Sequence, residues 1–298
     1  MANDILTDDI DVAAMFNEEP PRLEFLWPGF LSGTVGALVS MGGIGKSFWA
    51  LEASMAVAGG VGADLLGIGP EYYGPVLYLA TEDHKKIIQT RGHAIGQHFC
   101  PDVRESIIEN LSISAISGRR MDIMRAEQIK ALVTRCQGMR LLVIDTISRC
   151  HQLDENSNSD MAKLVSVLEL IARESGTSVL YLHHISKATA LGGLGDQQQA
   201  ARGASALIDN ARWCGYVAGM RAEEAAVMCD EEGAIGERRR QYLRYGCSKM
   251  NYGAPDTTER WYRRVGGGVL VPVQLGTGAP QNGGVTQIRG RKRDTATY

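Results

Sequence analysis

Lys46 and Ser47 end a glycine-rich run, Ser40-Met41-Gly42-Gly43-Ile44-Gly45-Lys46-Ser47, set between the apolar stretch Gly36-Ala37-Leu38-Val39 and a helix-forming one from Phe48 to Ala58. Residues of these types bind phosphate. Glycines let backbone N–H groups close around the oxygens, a lysine reaches the β- and γ-phosphates, and a hydroxyl holds magnesium. The run points to ATP with Mg2+, cradled by Gly42, Gly43, Ile44, Gly45, Lys46 and Ser47, with Phe48 beyond them. Ser40 stands where the general G-x-x-x-x-G-K-S/T pattern has its first glycine. A bare Gly-Lys-Ser can be a surface turn; the strand before it and the helix after it favour a nucleotide site.

Two acids fall where such a site needs them. Arg140-Leu-Leu-Val-Ile-Asp145-Thr146 is an apolar strand ending in a carboxylate, and an α/β sheet binds its ligand at that carboxyl edge. Alone, Asp145 is equally a turn-forming cap on a buried strand; beside Lys46 and Ser47 it reads as the acid that acts on magnesium through water. A second strand, Val76-Leu-Tyr-Leu-Ala, runs into Thr81-Glu82-Asp83. Glu82 is the candidate to orient the attacking water, whereas Asp83 suits the N-terminus of the following helix. Arg91, about two turns along that helix, either faces the nucleotide or is solvated.

The strand Ser178–Leu182 leads into His183-His184. A polar side chain at that strand end can sense the γ-phosphate, and neighbours on a strand point to opposite faces, which argues against a shared metal ion. The polar segment beyond includes Lys187, Gln197, Gln198, Gln199 and Arg202. It suits sequence-independent contacts to single-stranded DNA and equally suits a surface loop. Arg212 and Lys249 are each open to two roles: a surface salt bridge, or a cation supplied to a neighbouring subunit's γ-phosphate.

An α/β scaffold must position these groups. Short β-branched runs at Gly36–Ser40, Pro75–Ala80, Arg140–Asp145 and Ser178–Leu182 alternate with helical patterns near 46–58, 84–98, 125–136 and 160–174, which predicts a mainly parallel sheet flanked by helices. The runs Arg212–Ala218, Arg240–Cys247, Glu259–Val265 and Val269–Val273 predict an antiparallel extension. Residues 1–22 read as an acidic flexible arm, 23–275 as one ATPase domain and 276–298 as a basic, disordered tail.

The 298 residues suffice for a core without metal or disulfide staples. Net charge is −3, so any nucleic-acid contact needs a local basic patch. The six cysteines form no C-x-x-C pair, which fits reduced thiols and disfavours zinc. The acidic N-terminus lacks a signal pattern and no apolar run is long enough to span a bilayer, so the expectation is a cytoplasmic protein with no membrane partner.

Taken in order, the motifs resemble the RecA-fold hexameric ATPases, related to the DnaB and KaiC families, and most closely the RepA-type replicative helicases of broad-host-range plasmids. The likeness runs from Gly33-Thr-Val-Gly-Ala-Leu-Val-Ser40 through the phosphate loop, Glu82-Asp83, Val143-Ile-Asp145-Thr146 and Leu182-His-His184. It continues in Gly195-Asp-Gln-Gln-Gln199, Asp209-Asn-Ala-Arg-Trp213 and Ser248-Lys249 to Asn251-Tyr-Gly-Ala-Pro255. The resemblance implies a RecA-like P-loop NTPase fold, a homohexameric ring around single-stranded DNA, 5′ to 3′ travel, and plasmid initiator and primase proteins as partners. It also implies that Glu82 activates water, His184 senses the γ-phosphate, Arg212 is the arginine finger and Lys249 assists it. Asn251 stands where the wider ring-helicase family has an arginine. A competing expectation is an assembly switch of the RecA and KaiC sort, which hydrolyses ATP and unwinds nothing.

Overall fold

Strand β6 (Leu141–Asp145) is buried along its whole length, and its alternate residues face two separate cores. The protein is described here by a computed structural model covering residues 9–185, 205–253 and 258–278. Around β6 the chain builds β1 (Phe25–Trp27), β2 (Phe30–Leu31), β3 (Val35–Ser40), β4 (Val76–Ala80), β5 (Leu111–Ala115), β7 (Ser178–His184) and β8 (Trp213–Gly219). Then come β9 (Met228–Asp230), β10 (Gly233–Ala234), β11 (Tyr242–Met250), β12 (Arg260–Val265), β13 (Val269–Val273) and β14 (Gly276–Thr277). The helices are α1 (Val12–Asn17), α2 (Lys46–Gly59), α3 (Lys85–Gly96), α4 (Pro101–Asn110), α5 (Ala126–Cys136), α6 (Asn158–Ser175), α7 (Ser205–Asn210) and α8 (Ala222–Val227).

Nine strands form the central sheet in the order β13-β12-β11-β8-β3-β7-β6-β4-β5. The strands from β8 to β5 run parallel, and β11, β12 and β13 add antiparallel to β8. One expectation is corrected here. The run from Arg212 was read as the first antiparallel strand, whereas β8 pairs parallel with β3, Gly36 opposite Trp213. The reason is the connection: the chain between β7 and β8 is long enough to cross back, and α7 packs on α6 along the way. Helix α4 and edge strand β5 were not expected either; Ser112 and Ser114 break the apolar pattern, and β5 is only partly buried.

The two faces carry different helices. One core gathers Leu51, Leu66 and Ile95 with Tyr78, Leu141, Val143 and Leu182, so α2 and α3 cover that face. The other gathers Leu132, Leu164, Leu168 and Leu207 with Leu77, Leu142, Ile144 and Tyr181 under α5, α6 and α7. Because strand residues alternate, this parity also sets Tyr78, Asp145 and His184 on the α2 side, and His183 on the α6 side. Helix α2 is buried nearly all round, with Glu52 and Ser54 among its mostly apolar residues, as befits a helix caught between sheet and outer layer. It stops at Gly59-Gly60, where φ of Gly60 is 80°.

Trp27, Phe30, Trp49 and Trp213 form an aromatic cluster that fastens the β1–β2 hairpin to β8 and α2. Phe30 stacks on Trp213 at 5.2 Å, and Trp27 meets Trp49 edge-on at 6.0 Å. A Cβ at Gly36 would stand 2.8 Å from the Phe30 ring, so the strand that leads to the phosphate loop needs glycine there. The acidic arm contains α1, capped by Asp11 and burying none of its residues. Strand β14 pairs with β9 in a small sheet, so the segment expected to be a tail begins with two paired residues. Among the described residues no helix is long and apolar enough to cross a membrane.

Glu52 joins α2 to β13: it is 1% exposed and accepts a hydrogen bond from Leu270 N at 2.9 Å. Burial pushes its carboxyl up to about 8 from 4.5. The folded chain then binds more protons than the unfolded one between those two values, so the group costs stability as pH rises through them, and the cost is complete above the upper one. Glu52→Gln keeps the acceptor and removes the charge. The variant should match the parent near pH 5 and exceed it near pH 9, by up to about 4 kcal/mol in thermal or denaturant unfolding; an equal offset at both pH values would refute the assignment.

Candidate active site

The phosphate loop leaves β3 at Ser40 and enters α2 at Lys46. Gly43 and Gly45 adopt φ of 77° and 108°, where a side chain is strained, whereas no non-glycine described residue has positive φ. Ser40 can therefore replace the usual glycine: its backbone is extended and its hydroxyl donates to Met41 O at 2.9 Å. Gly45 is fixed a second way. An ideal Cβ there would stand 2.8 Å from Arg264 Nη2, and the Arg264 guanidinium donates to Ile44 O.

Lys46 is 3% exposed; burial pushes its ammonium down, opposed first by Asp145 and then by Glu82 and Asp83. Asp145 is 2% exposed, and burial pushes its carboxyl up against Lys46, Tyr78 and Ser47. The Tyr78 hydroxyl donates to Asp145 Oδ2 at 2.6 Å, while Asp145 Oδ1 is buried without a partner among the described residues. A hydrated divalent cation fits that orphaned oxygen: Ser47 and Asp145 together supply hard oxygen ligands beside the α2 N-terminus. Ser47 and Asp145 would hold magnesium there, the lysine meeting the phosphate side.

Three hydrogen bonds tie the ends of β4 and β6 together. Thr81 N donates to Asp145 O at 2.7 Å, the Thr81 hydroxyl donates to Thr146 O at 2.9 Å, and Thr146 N donates to Thr81 Oγ1 at 2.8 Å. With Ala80 in register with Asp145, this clamp projects Glu82 past the sheet edge. Glu82 stands between two bases, His184 Nε2 at 3.5 Å from Oε2 and Arg149 Nη2 at 3.6 Å from Oε1. Gly43, Ile44, Gly45, Lys46, Ser47, Phe48, Glu82 and His184 line one cavity of about 340 Å³ with Arg91 and Arg264, and His184 Nδ1 lies 4.0 Å from the ideal Cβ of Gly42.

Two readings of neighbouring residues change. Asp83 does not cap α3; His84 does, its Nδ1 accepting from Lys86 N at 3.2 Å. Asp83 instead pairs with Arg91 at 2.6 Å, and the Arg91 guanidinium lies 5.3 Å over the Phe48 ring, so Arg91 is pinned beside the cavity and not solvated. Arg212 and Lys249 are not brought to this cavity. Arg212 N donates to Val35 O, at the amino end of β3, and its guanidinium lies 3.8 Å from Glu169 on the exposed surface. Lys249 is opposite Cys214 on the same edge and donates to Asp209 O. Lys187, Gln197, Gln198, Gln199 and Arg202 lie outside the described residues.

Sequence reasoning missed Tyr78, Thr81, Arg149 and Arg264. Tyr78 was readable in principle, since its strand parity matches Asp145; Arg264, 220 positions from Ile44, left no local signal.

A phosphate loop on a parallel sheet edge, with lysine, hydroxyl and strand-end aspartate converging, is the arrangement of P-loop ATPases. The family profile described as an AAA domain matches residues 5–190. The chain belongs to the AAA-domain family. That P-loop class accounts for the nucleotide cavity, and the match covers Lys46, Ser47, Glu82, Asp145 and His184 while ending before Arg212 and Lys249.

In this AAA domain the contact from Arg264 to Ile44 shapes the loop from outside. Arg264→Ala should weaken binding of a fluorescent ATP analogue about tenfold, the worth of a charge-assisted hydrogen bond, with little change in melting temperature. Unchanged affinity would show that the loop holds its shape without the arginine.

Proposed function

We propose that the chain is an ATP-dependent replicative DNA helicase, a homo-oligomeric ring that hydrolyses ATP with Mg2+ to move on single-stranded DNA during plasmid replication. The observation that carries the reading is the division of the catalytic charges between two edges of one sheet. Lys46, Ser47, Asp145, Glu82 and His184 gather at the carboxyl edge, while Arg212 and Lys249 stand at the amino edge beside Val35 and Cys214. A cation that far from its own nucleotide acts on hydrolysis by meeting a neighbour's, which makes turnover depend on assembly.

Magnesium, when bound, draws charge from the β- and γ-phosphate oxygens. Lys46 neutralises the same oxygens from the loop side, and the loop's N–H groups fix their orientation. Glu82 accepts the proton of the attacking water as its oxygen bonds to the γ-phosphorus and the bond to ADP breaks, leaving phosphate. His184, 3.5 Å from Glu82 and beside Gly42, links the γ-phosphate position to the segment after β7.

Steady-state ATP hydrolysis, with and without long single-stranded DNA at low salt, tests the reading against a Lys46→Ala blank. Strong stimulation is expected; hydrolysis indifferent to DNA would favour an assembly switch. Glu82→Gln should retain nucleotide binding and lose about 100-fold or more in turnover. Arg212→Ala should bind nucleotide yet turn over only when mixed with Lys46→Ala protein, and failure of mixing to restore any activity would remove the residue from the neighbour's site.

A further inference from the structure

A second cavity, of about 470 Å³, opens on the carboxyl edge beyond Glu82, between the loops that follow β5 and β6. Arg119, Arg120, Arg125 and Arg149 line it with His151, against one acid, Asp122. The two loops are joined by Ile123 N donating to Cys150 O at 2.8 Å, and the first is joined to the active site by the Ser117 hydroxyl donating to Glu82 O at 3.0 Å. Asp122 answers only part of this charge, lying 3.7 Å from Arg125 Nε and accepting from Gln152 Nε2 at 3.4 Å. Arg119 and Arg120 are exposed and have no ion pair among the described residues.

His151 is the buried member. Its side chain is 2% exposed, its Nδ1 accepts from Leu153 N at 3.2 Å, and its Nε2 has no hydrogen-bond partner, with Glu155 at 3.9 Å. With Nδ1 accepting, the ring proton sits on Nε2 as an unused donor. Five basic side chains thus line one open cavity with a single carboxylate among them. No Phe, Tyr or Trp among the described residues lines it, and four guanidinium groups make phosphate oxygen the matching chemistry.

Arg149 belongs to both sites: it lines the basic cavity and reaches Glu82 at 3.6 Å. At ion-pair distance the guanidinium competes with water for that carboxylate oxygen. The pair is exposed on both sides, 64% and 39%, so it is weak and easily exchanged. We propose that backbone phosphates of single-stranded nucleic acid seat in the Arg119–Arg149 cavity and draw Arg149 away from Glu82, so that strand binding releases the carboxylate for catalysis. Four arginines on one cavity offer more positive charge than one free anion balances, and a strand supplies several phosphates. This deepens the helicase reading and rests on it. Arg149 is a positioning residue: the strand acts on hydrolysis through it.

The test uses the full chain and oligo-dT. The Arg119→Gln/Arg120→Gln double variant should keep the DNA-free ATPase rate, need about tenfold more oligo-dT for half-maximal stimulation, and show a salt slope of oligo-dT affinity smaller by about 1.4, two single-strand phosphate contacts. Arg149→Gln should raise the DNA-free rate several-fold and bring the stimulation ratio towards one, a gain that a merely structural role does not give. A double variant that titrates like the parent, or an Arg149→Gln protein with a lowered DNA-free rate, overturns the proposal while leaving DNA-stimulated hydrolysis intact. Inorganic phosphate at matched ionic strength raising the rate as far as oligo-dT does would overturn the strand as occupant in favour of a free anion. If the parent itself ignores oligo-dT, the helicase reading fails first.

Discussion

Two opposite charges, the Lys46 ammonium and the Asp145 carboxylate, are almost wholly removed from water at one edge of the sheet. Burial of either alone costs several kcal/mol, and burial drives both towards neutrality, the lysine down and the aspartate up, each opposed by the other. Much of the local structure follows from burying the two side by side. The lysine must open a helix whose N-terminus faces the site, so the loop before it needs glycine at positions 43 and 45. The aspartate must end a strand on the face that α2 covers, and it needs a donor there, which Tyr78 supplies from the adjacent strand. One carboxylate oxygen is spent on that bond and the other faces the site unpaired, which is where a cation bridging to phosphate belongs.

Glu82 obeys a different electrostatics. Register aligns Ala80 with Asp145, so Glu82 lies two residues further out, about 6–7 Å along the strand direction. That step separates a buried pair, insensitive to salt, from an exposed carboxylate with two exposed basic neighbours, which salt and ligands can rearrange. The inner pair is fixed by burial; the outer group is free to change partners. For the catalytic role proposed for Glu82, that position leaves the carboxylate open to water and to exchange of its neighbouring cations.

The parts of the site legible in the sequence were those with a local pattern. Glycine spacing marked the loop, an apolar run ending in aspartate marked β6, and strand alternation set His183 and His184 on opposite faces, the structure then burying His183 and exposing His184. What escaped was non-local or competitive. The pairing direction of β8 depends on a long connection, not on its own residues. His84 took the cap of α3 because Asp83 found Arg91, a choice between two good partners that spacing does not decide. Arg264 and Arg149 enter the site from β12 and from the turn after β6, where neither has a motif. Edge strand β5 carries alternate serines and half-buried residues, so its strength as a signal is low where its neighbours' is high.

The opposition of the two sheet edges constrains assembly. The phosphate loop follows the carboxyl end of β3, and Arg212 meets its amino end at Val35, so the two lie on opposite edges of one parallel sheet. A contact that brought one copy's Arg212 to another's Glu82 in one direction only, edge to opposite edge, would be heterologous. Such contacts repeat around an axis and either close into a ring or continue as a filament, and the rotation per contact decides which. A two-fold dimer could satisfy them only by seating both edges of each copy in one interface, Arg212 on Glu82 twice over. Nucleotide at the joint would then be buried by two copies of this chain, one giving the phosphate loop and carboxylate, the other the arginine, and the state of one site would bear directly on its neighbour's.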